Sequence, residues 1–290
     1  IESLGNNLDS GSEEALVFDS MKYAGQEGQY MRVCGRLNMI IELSQGIATV
    51  AGGILAEFSY FWCYSACVVI AALALVPVLW MTEAPCTDAK SGSKSVREVV
   101  SVHFETCFEI LRSERRILNI IVYYSTVFAA QTVLFFYSQQ YFYELGYNKV
   151  GISLIMLVVG GVSCAGAVTS ERFFARFGTE IGGIGALVIA ASFLAYGFHN
   201  TIVSVAALAA ANFFNSVLYP VQSEQLNCLI PSGQRATLIS VNSMFFSIAM
   251  ILVFPLAGAL ADVCGLTTVL VGIGIGLAVF TAVWNKEVEK

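Results

Sequence analysis

The sequence has too few charged residues to coat a water-soluble fold. Only 12% of its 290 residues are Asp, Glu, Lys or Arg, whereas soluble proteins carry about 25% on average. Apolar types make up 57% of the chain. A soluble bundle would need polar helix faces, which the long apolar runs of this chain lack. The shortage of charge therefore argues against a soluble fold and predicts that lipid surrounds most of the chain.

Patterns typical of catalytic, metal and nucleic-acid sites are also missing. The eight cysteines form no CxxC pair, and His103 and His199 have no metal-ligand partner at helical spacing. HExxH and GxSxG do not occur, and no basic stripe with interleaved aromatic residues is present. We therefore expect no enzyme activity, no metal or other cofactor, and no nucleic-acid partner.

Eight apolar runs are each close to the length of about 20 residues that crosses the hydrocarbon core of a bilayer. Several contain Gly or Pro, which membrane helices tolerate better than soluble helices do. The runs predict an all-α integral membrane protein with eight transmembrane helices in this chain. They cover residues 37–58, 61–81, 117–141, 150–168, 181–198, 202–221, 238–261 and 266–284.

The basic residues predict the orientation of these helices. Six of the fifteen Lys and Arg residues fall between Lys90 and Arg116, in a long polar segment, 82–116. Within it, residues 96–111 carry apolar side chains at helical spacing, which predicts a surface helix. If the chain before the first run lies in the cytoplasm, fourteen basic residues lie inside and only Lys149 lies outside. We expect a multi-pass protein of the cell membrane with both ends of this sequence in the cytoplasm.

Three stretches have the pattern of one family of membrane proteins: residues 10–20 with Gly35–Asn38, residues 166–178, and residues 230–240. They resemble the major facilitator superfamily, in particular its bacterial drug-resistance-like members. Residues 10–20, followed by Gly35-Arg36-Leu37-Asn38, resemble the end of the family's fourth helix and the start of its fifth. Residues 166–178 resemble the C-terminal copy of its Gly-x4-Asp-Arg-x-Gly-Arg loop. Residues 230–240 are typical of the turn between its tenth and eleventh helices.

The resemblance implies that the eight runs are helices five to twelve of a twelve-helix fold, in a chain truncated at its N-terminus. Residues 1–81 would be the remnant of the N-terminal bundle, holding the cytoplasmic end of helix four with helices five and six. Residues 82–116 would be the cytoplasmic linker, and 117–290 the C-terminal six-helix bundle. Ala48 and Thr49 stand where the family's antiporter signature has Gly-Pro, which weighs against drug/proton antiport.

The function implied is secondary active transport of a small solute by alternating access, as proton-coupled efflux or uptake. The solute would bind between the two bundles near the midplane of the membrane, and the protein is expected to be a monomer whose partners are the solute, protons and the lipid bilayer. Two alternatives are a non-transporting membrane receptor or scaffold with a carrier fold, and an inactive gene fragment. A membrane-embedded transferase would need a cluster of acids, histidines or a metal at one face, and none is visible.

Five charged residues are expected to latch the two bundles together. The resemblance implies that Glu171 faces the start of the first run and that Arg172 pairs near Glu224, with Arg176 and Arg235 belonging to the same set. An Arg can bridge carboxylates of adjacent helices. The alternative is that these charges only follow the positive-inside rule. If they form a latch, Arg172→Ala abolishes transport without abolishing expression.

Glu42 is the candidate coupling residue, with Gln45 beside it. The first run begins at residue 37, so Glu42 is expected to lie about one turn inside the membrane, where a charge is costly. It could carry a proton or a cation. It could equally be a carboxylate that reaches back to the cytoplasmic face.

Polar side chains within the runs are candidates for the wall of a solute cavity. Amides and tyrosines inside membrane helices line cavities, but they also serve as ordinary helix-to-helix contacts worth about 0.6 kcal/mol each. As a set they are expected to face the cavity. The set consists of Gln131, Asn212, Asn215, Tyr124 and Tyr219.

Overall fold

The computed structural model describes residues 12–80, 108, 112, 115–230 and 235–288, and these residues form helices and short turns without a strand. Most of the predicted linker, 82–116, lies outside the described residues. The same is true of the predicted surface helix, 96–111, apart from residue 108, and of residues 231–234 in the turn before Arg235.

Nine α-helices follow one another within the described ranges. The helices are α1 (Ser12–Tyr23), α2 (Tyr30–Phe58), α3 (Tyr60–Val78), α4 (Arg115–Glu144), α5 (Lys149–Phe177), α6 (Ile181–Ala195), α7 (Thr201–Leu229), α8 (Arg235–Cys264) and α9 (Leu266–Val288). Short 3₁₀ turns precede α2, join α5 to α6 and follow α6.

Each of the eight predicted apolar runs coincides with one helix, α2 to α9, which confirms the all-helical prediction for the described residues. Seven stretches of these residues are long and apolar enough to cross a membrane. The number is seven because Lys149–Phe198 forms a single stretch of 50 residues that contains both α5 and α6. A total of twelve helices stays a prediction.

Some helix ends lie outside the predicted runs. The stretch 166–178, which resembles a loop of the family, is not a loop in this chain, because α5 continues to Phe177 and is capped by Gly178, whose φ of 57° suits glycine. Phe173, Phe174 and Phe177 pack against the apolar core, which holds this last part of α5 in the helix. At the other side, α2 begins at Tyr30, seven residues before the predicted run.

Helices α4 to α9 form one bundle, called here the C-terminal half. Its helices approach closely because small residues face their neighbours. A Cβ on Gly166 would collide with the backbone of Phe213, and one on Gly274 would lie 2.6 Å from Cβ of Phe193. The largest fully buried side chains of this half include Ile117, Ile121, Leu134, Phe142, Ile189, Phe193, Tyr196, Leu208, Leu218 and Leu238.

Helices α1 to α3 precede this bundle in the chain and are called here the N-terminal half. Helix α2 packs along α5 and also contacts α7, and α1 contacts α8. Helix α3 packs mainly on α2, and none of its residues is buried, so its apolar surface faces the surroundings. The boundary between the halves is therefore formed by α1 and α2 on one side and by α5, α7 and α8 on the other.

Candidate functional site

The boundary between the halves carries its ionic contacts at one end, called here the charged end. This is where α2 and α8 begin and where α5 and α7 finish. Arg32 of α2 donates two hydrogen bonds to Glu171 of α5, from Nε at 2.9 Å and from Nη2 at 3.0 Å. The paired fork of a guanidinium on a carboxylate fixes the orientation of both groups. Since both side chains are about half exposed, water screens the attraction between them.

A second ion pair at the charged end is largely buried. Arg235 of α8 is only 3% exposed and donates to the carboxylate of Asp19 in α1. Its guanidinium lies 4.0 Å above the centre of the Phe18 ring. It also donates to the carbonyl oxygens of Asn227 and Ile230, at 3.3 and 3.4 Å. A buried cation needs such partners, so Arg235 depends on α1 as well as on its own half.

Tyr30 adds a buried hydroxyl to these contacts. Its Oη lies 2.8 Å from Oγ of Ser223 and accepts from Nδ2 of Asn227 at 3.2 Å. Its ring meets that of Phe18 edge-on, with centroids 4.8 Å apart. Tyr30 is 1% exposed. The first residue of α2 is therefore held by two side chains of α7.

The structure brings some of the predicted latch residues together and leaves others apart. Glu171 and Arg235 each join the two halves, as described above. Arg172 and Arg176 are exposed, and within the described residues neither forms an ion pair. Glu224 accepts a weak hydrogen bond from Sγ of Cys228 at 3.5 Å rather than from Arg172.

The partners that complete the ion pairs, Arg32 and Asp19, were not among the predicted site residues. Asp19 belongs to the acidic segment before the first apolar run, and Arg32 precedes that run by five residues. Their charge next to an apolar run could have marked both residues as candidates. The neighbouring sequence does not indicate which distant helix either residue contacts.

Glu42 lies at the middle of α2. It is the thirteenth of 29 residues and lies more than three turns from the start of the helix, because α2 begins earlier than the apolar run. Ser216 of α7 donates a hydrogen bond of 3.0 Å from Oγ to Oε1 of Glu42. The contact crosses the boundary between the halves. Gln45, one turn further along, is exposed.

Pro220 gives the Ser216 segment a special backbone. Proline has no N–H, so it cannot donate to the carbonyl four residues earlier in the helix, which is that of Ser216. The residue that holds Glu42 through its side chain therefore has a main-chain oxygen released from the helix ladder. The side-chain hydroxyl and the main-chain oxygen of Ser216 can therefore both form hydrogen bonds at the same place along the boundary between the halves.

Other polar groups near this level are buried and lack a partner among the described residues. They are Nδ2 of Asn38, Oγ of Ser163 and Oδ1 of Asn215. Asn38 precedes Glu42 by one turn of α2, and Asn215 precedes Ser216 in α7. Buried polar groups cost free energy until they are satisfied, so this region can bind a polar group at a gain.

The remaining predicted cavity residues lie within the C-terminal half. Gln131 of α4 donates to Oδ1 of Asn212 at 3.0 Å, and both side chains are buried. Asn212 also donates to the carbonyl of Leu208 at 2.8 Å. Tyr124 packs against Gly182 of α6, and Tyr219 is half-buried near Phe128, with centroids 6.4 Å apart.

Among the described residues, no group of three or more His, Cys, Asp or Glu side chains is placed so that it could hold a metal ion.

Apolar helices of membrane-spanning length, arranged as two halves with ion pairs between them, define a polytopic helical membrane protein. The family model of the Major Facilitator Superfamily matches residues 24–182, more than half of the chain, and the protein belongs to that family. The matched segment runs from before α2 to the start of α6, so it includes residues of both halves. The family consists of transporters rather than enzymes, which classes this chain with secondary transporters. A comparison with curated proteins found no match.

Proposed function

We propose that this protein moves a small solute across the cell membrane by alternating access, with the solute held between the two halves beside Glu42. The hydrogen bond from Ser216 to Glu42 carries the proposal, because it places an ionisable group at the boundary between the halves. A charge at the centre of a bilayer costs about 2.5–3.5 kcal/mol on insertion scales. A carboxylate kept at that depth is best explained by a function.

The two halves would correspond to parts of a twelve-helix carrier, with α2 and α3 as helices five and six and α4 to α9 as helices seven to twelve. The exposed apolar surface of α3 supports this assignment, since it needs lipid or further helices around it. With the charged end in the cytoplasm, as the basic residues predict, the contacts of Arg32, Asp19 and Tyr30 close the cytoplasmic side.

Opening the charged end would require these contacts to break together. Glu171 and Arg235, with Arg32, Asp19 and Tyr30, are then the latch of the closed state. Arg172, Arg176 and Glu224 are assigned to the same end, where they would change partners as the halves move. A switch of this kind needs two arrangements of similar free energy, and the half-exposed pair of Arg32 and Glu171 is weak enough to exchange between them.

The solute site would lie where hydrogen-bonding groups remain available. We assign Asn215, Asn212 and Gln131 to its wall, with Asn215 the most directly available, and place Tyr124 and Tyr219 toward the charged end. The mixture of amides and aromatic rings suits a small amphipathic or apolar solute. Glu42 would couple transport to protons. Its protonated form carries no charge, so its surroundings can change from aqueous to apolar as the halves move without the cost of burying a carboxylate.

Transport in reconstituted vesicles tests the proposal. The purified protein is placed in liposomes, and uptake of a panel of small labelled amphipathic solutes is measured with and without a pH gradient. Uptake that follows the gradient in the wild type and is lost in Glu42→Gln supports proton-coupled transport. Glu180→Gln is the control, because Glu180 is exposed at the end of a 3₁₀ turn. Solute binding without exchange across the membrane would instead indicate a receptor.

A further inference from the structure

A basic pocket opens at the charged end between α2 and α5. Its volume is about 440 Å³. Three guanidinium groups and one carboxylate surround it, which leaves a formal charge of +2 from these four side chains. The lining residues are Arg32, Arg36, Ala167, Val168, Ser170, Glu171, Arg172 and Ala175.

Two of the three arginines have N–H groups without a hydrogen-bond partner among the described residues. Arg32 is engaged with Glu171. Arg36 and Arg172 are exposed, and neither has a hydrogen bond or an ion pair with any residue that the structure describes. The positively charged guanidinium groups around the pocket repel each other. An anion bound between them would remove this repulsion, and a phosphate group matches the planar fork of a guanidinium.

The wall of the pocket leaves room for such a group. Ala167 and Ala175 have small side chains, and the hydroxyl of Ser170 turns back to the carbonyl of Ala167 at 2.8 Å. The side chains of Ala167, Ser170 and Ala175 therefore do not fill the space between the arginines. Because Arg36 and Arg172 belong to different helices, their separation is set by the packing of α2 against α5.

The depth of the pocket fits the headgroup layer of a membrane. Helices α2 and α5 each contain 29 residues, and a helix of that length spans about 43 Å. A bilayer measures about 40–45 Å with its headgroups, around a hydrocarbon core of about 30 Å. Arg32 and Arg36 lie in the first two turns of α2, and Arg172 lies in the last two turns of α5. With both helices spanning the membrane, these positions would fall at the level of the lipid phosphates.

We propose that this pocket binds the phosphate group of an anionic membrane phospholipid. Basic pockets between transmembrane helices are a recurrent means of holding such headgroups. Arg36 would bring the phosphate to the N-terminal half, and Arg172 would bring it to the C-terminal half. A bound lipid would therefore strengthen the contact that Arg32 and Glu171 already make. The site does not depend on transport, so it stands or falls separately from the proposed function.

Native mass spectrometry of the purified protein in detergent tests the site. Dioleoyl phosphatidylglycerol, dioleoyl phosphatidylcholine and inorganic phosphate are each added, and bound molecules are counted. We expect phosphatidylglycerol to bind more tightly than phosphatidylcholine. If inorganic phosphate binds as well and displaces the lipid, the site recognises phosphate from either source. If phosphate does not compete, the source is the lipid.

Variants separate the pocket from general surface charge. Arg36→Gln should weaken phosphatidylglycerol binding about fivefold, and the double variant Arg36→Gln/Arg172→Gln should weaken it further by a similar factor. Arg176→Gln is the matched control, because Arg176 is also exposed at the end of α5 but does not line the pocket. Both substituted arginines are exposed, so the unfolding temperature without lipid should be unchanged. Equal binding of the two lipids, or an equal loss in Arg176→Gln, would overturn the proposal.

Discussion

Arg32 and Glu171 join the two halves of the protein through two parallel hydrogen bonds, of 2.9 and 3.0 Å, at the charged end. The residues are 139 positions apart in the sequence and belong to helices that pack along their length. Because the pair is half exposed, its strength is small enough to be broken during a transport cycle. A contact of this kind suits a latch better than a permanent joint.

Reversing one charge of this pair should loosen the charged end. Arg32→Glu or Glu171→Arg places like charges opposite each other, and the double variant restores an ion pair. Cys34 reports the opening, because it is buried at this end and should react with a maleimide only when the halves part. We expect about a fivefold faster reaction in each single variant and recovery in the double variant.

Exposed Cys264 provides the internal reference for that measurement. Its reaction rate should be the same in all three variants. The latch is refuted if Cys34 reacts at the wild-type rate in both single variants, or if the double variant reacts as fast as they do.

Arg235 should matter more for stability than the exposed pair does. Arg235→Gln leaves Asp19 without its cation and removes the group that lies over Phe18. We expect a loss of about 2–3 kcal/mol, below the value for a fully buried pair, because Asp19 is partly exposed. Thermal unfolding in detergent measures the loss. Arg176→Gln serves as the control, and unfolding of both variants at the wild-type temperature would contradict this role of Arg235.

Gly35 allows α2 and α5 to touch near the charged end. A Cβ at this position would lie 2.6 Å from the carbonyl oxygen of Ala167, so Gly35→Ala should push the helices apart and destabilise the protein by about 1–3 kcal/mol. Gly52→Ala is a matched control in the same helix, since nothing lies within 4 Å of its Cβ position. That control should be neutral or stabilising by up to about 1 kcal/mol. Similar unfolding temperatures for the two variants would show that the close approach is unimportant.

Replacing Asn215 should mainly weaken solute binding, whereas replacing Gln131 should mainly lower the stability of the protein. Asn215 has a buried oxygen without a partner among the described residues, whereas Gln131 is paired with Asn212. Asn215→Ala should therefore weaken solute binding about fivefold to tenfold at little cost in stability. Gln131→Leu should lower stability by about 0.6 kcal/mol, with a smaller effect on binding. Solute affinity and unfolding temperature are measured for both variants. If Gln131→Leu weakens binding more than Asn215→Ala does, the solute does not bind beside Asn215.

The fold class and the positions of the helices could be predicted from the sequence, because the length of an apolar run follows directly from the thickness of a membrane. The helix ends could not. Helix α5 continues past the apolar run because Phe173 and Phe174 still pack on the core, and α2 begins early because Tyr30 is held by Ser223 and Asn227. These contacts depend on residues far away in the sequence.

The candidate site was predictable only in part for the same reason. Glu42 is conspicuous as a charge inside an apolar run, but its depth and its partner Ser216 depend on where α2 begins and how α7 packs. Glu171 and Arg235 were found through the resemblance of their segments to the family. Their partners, Arg32 and Asp19, lie 139 and 216 residues away, and sequence alone does not reveal such pairings.

The most direct test of the central claim is a distance measurement between the two halves in lipid. Nitroxides are attached to ketone-bearing amino acids at Gln29 and Thr179, which are exposed at the charged end, and in a second protein at Phe58 and Asn148, exposed at the opposite end. Ketone chemistry is chosen because the chain has eight cysteines. Pulsed electron spin resonance should show two distances for each pair. When Arg32→Glu lengthens the distance at the charged end, the distance at the opposite end should shorten. A single distance at both ends that does not change in Arg32→Glu would contradict alternating access between these halves.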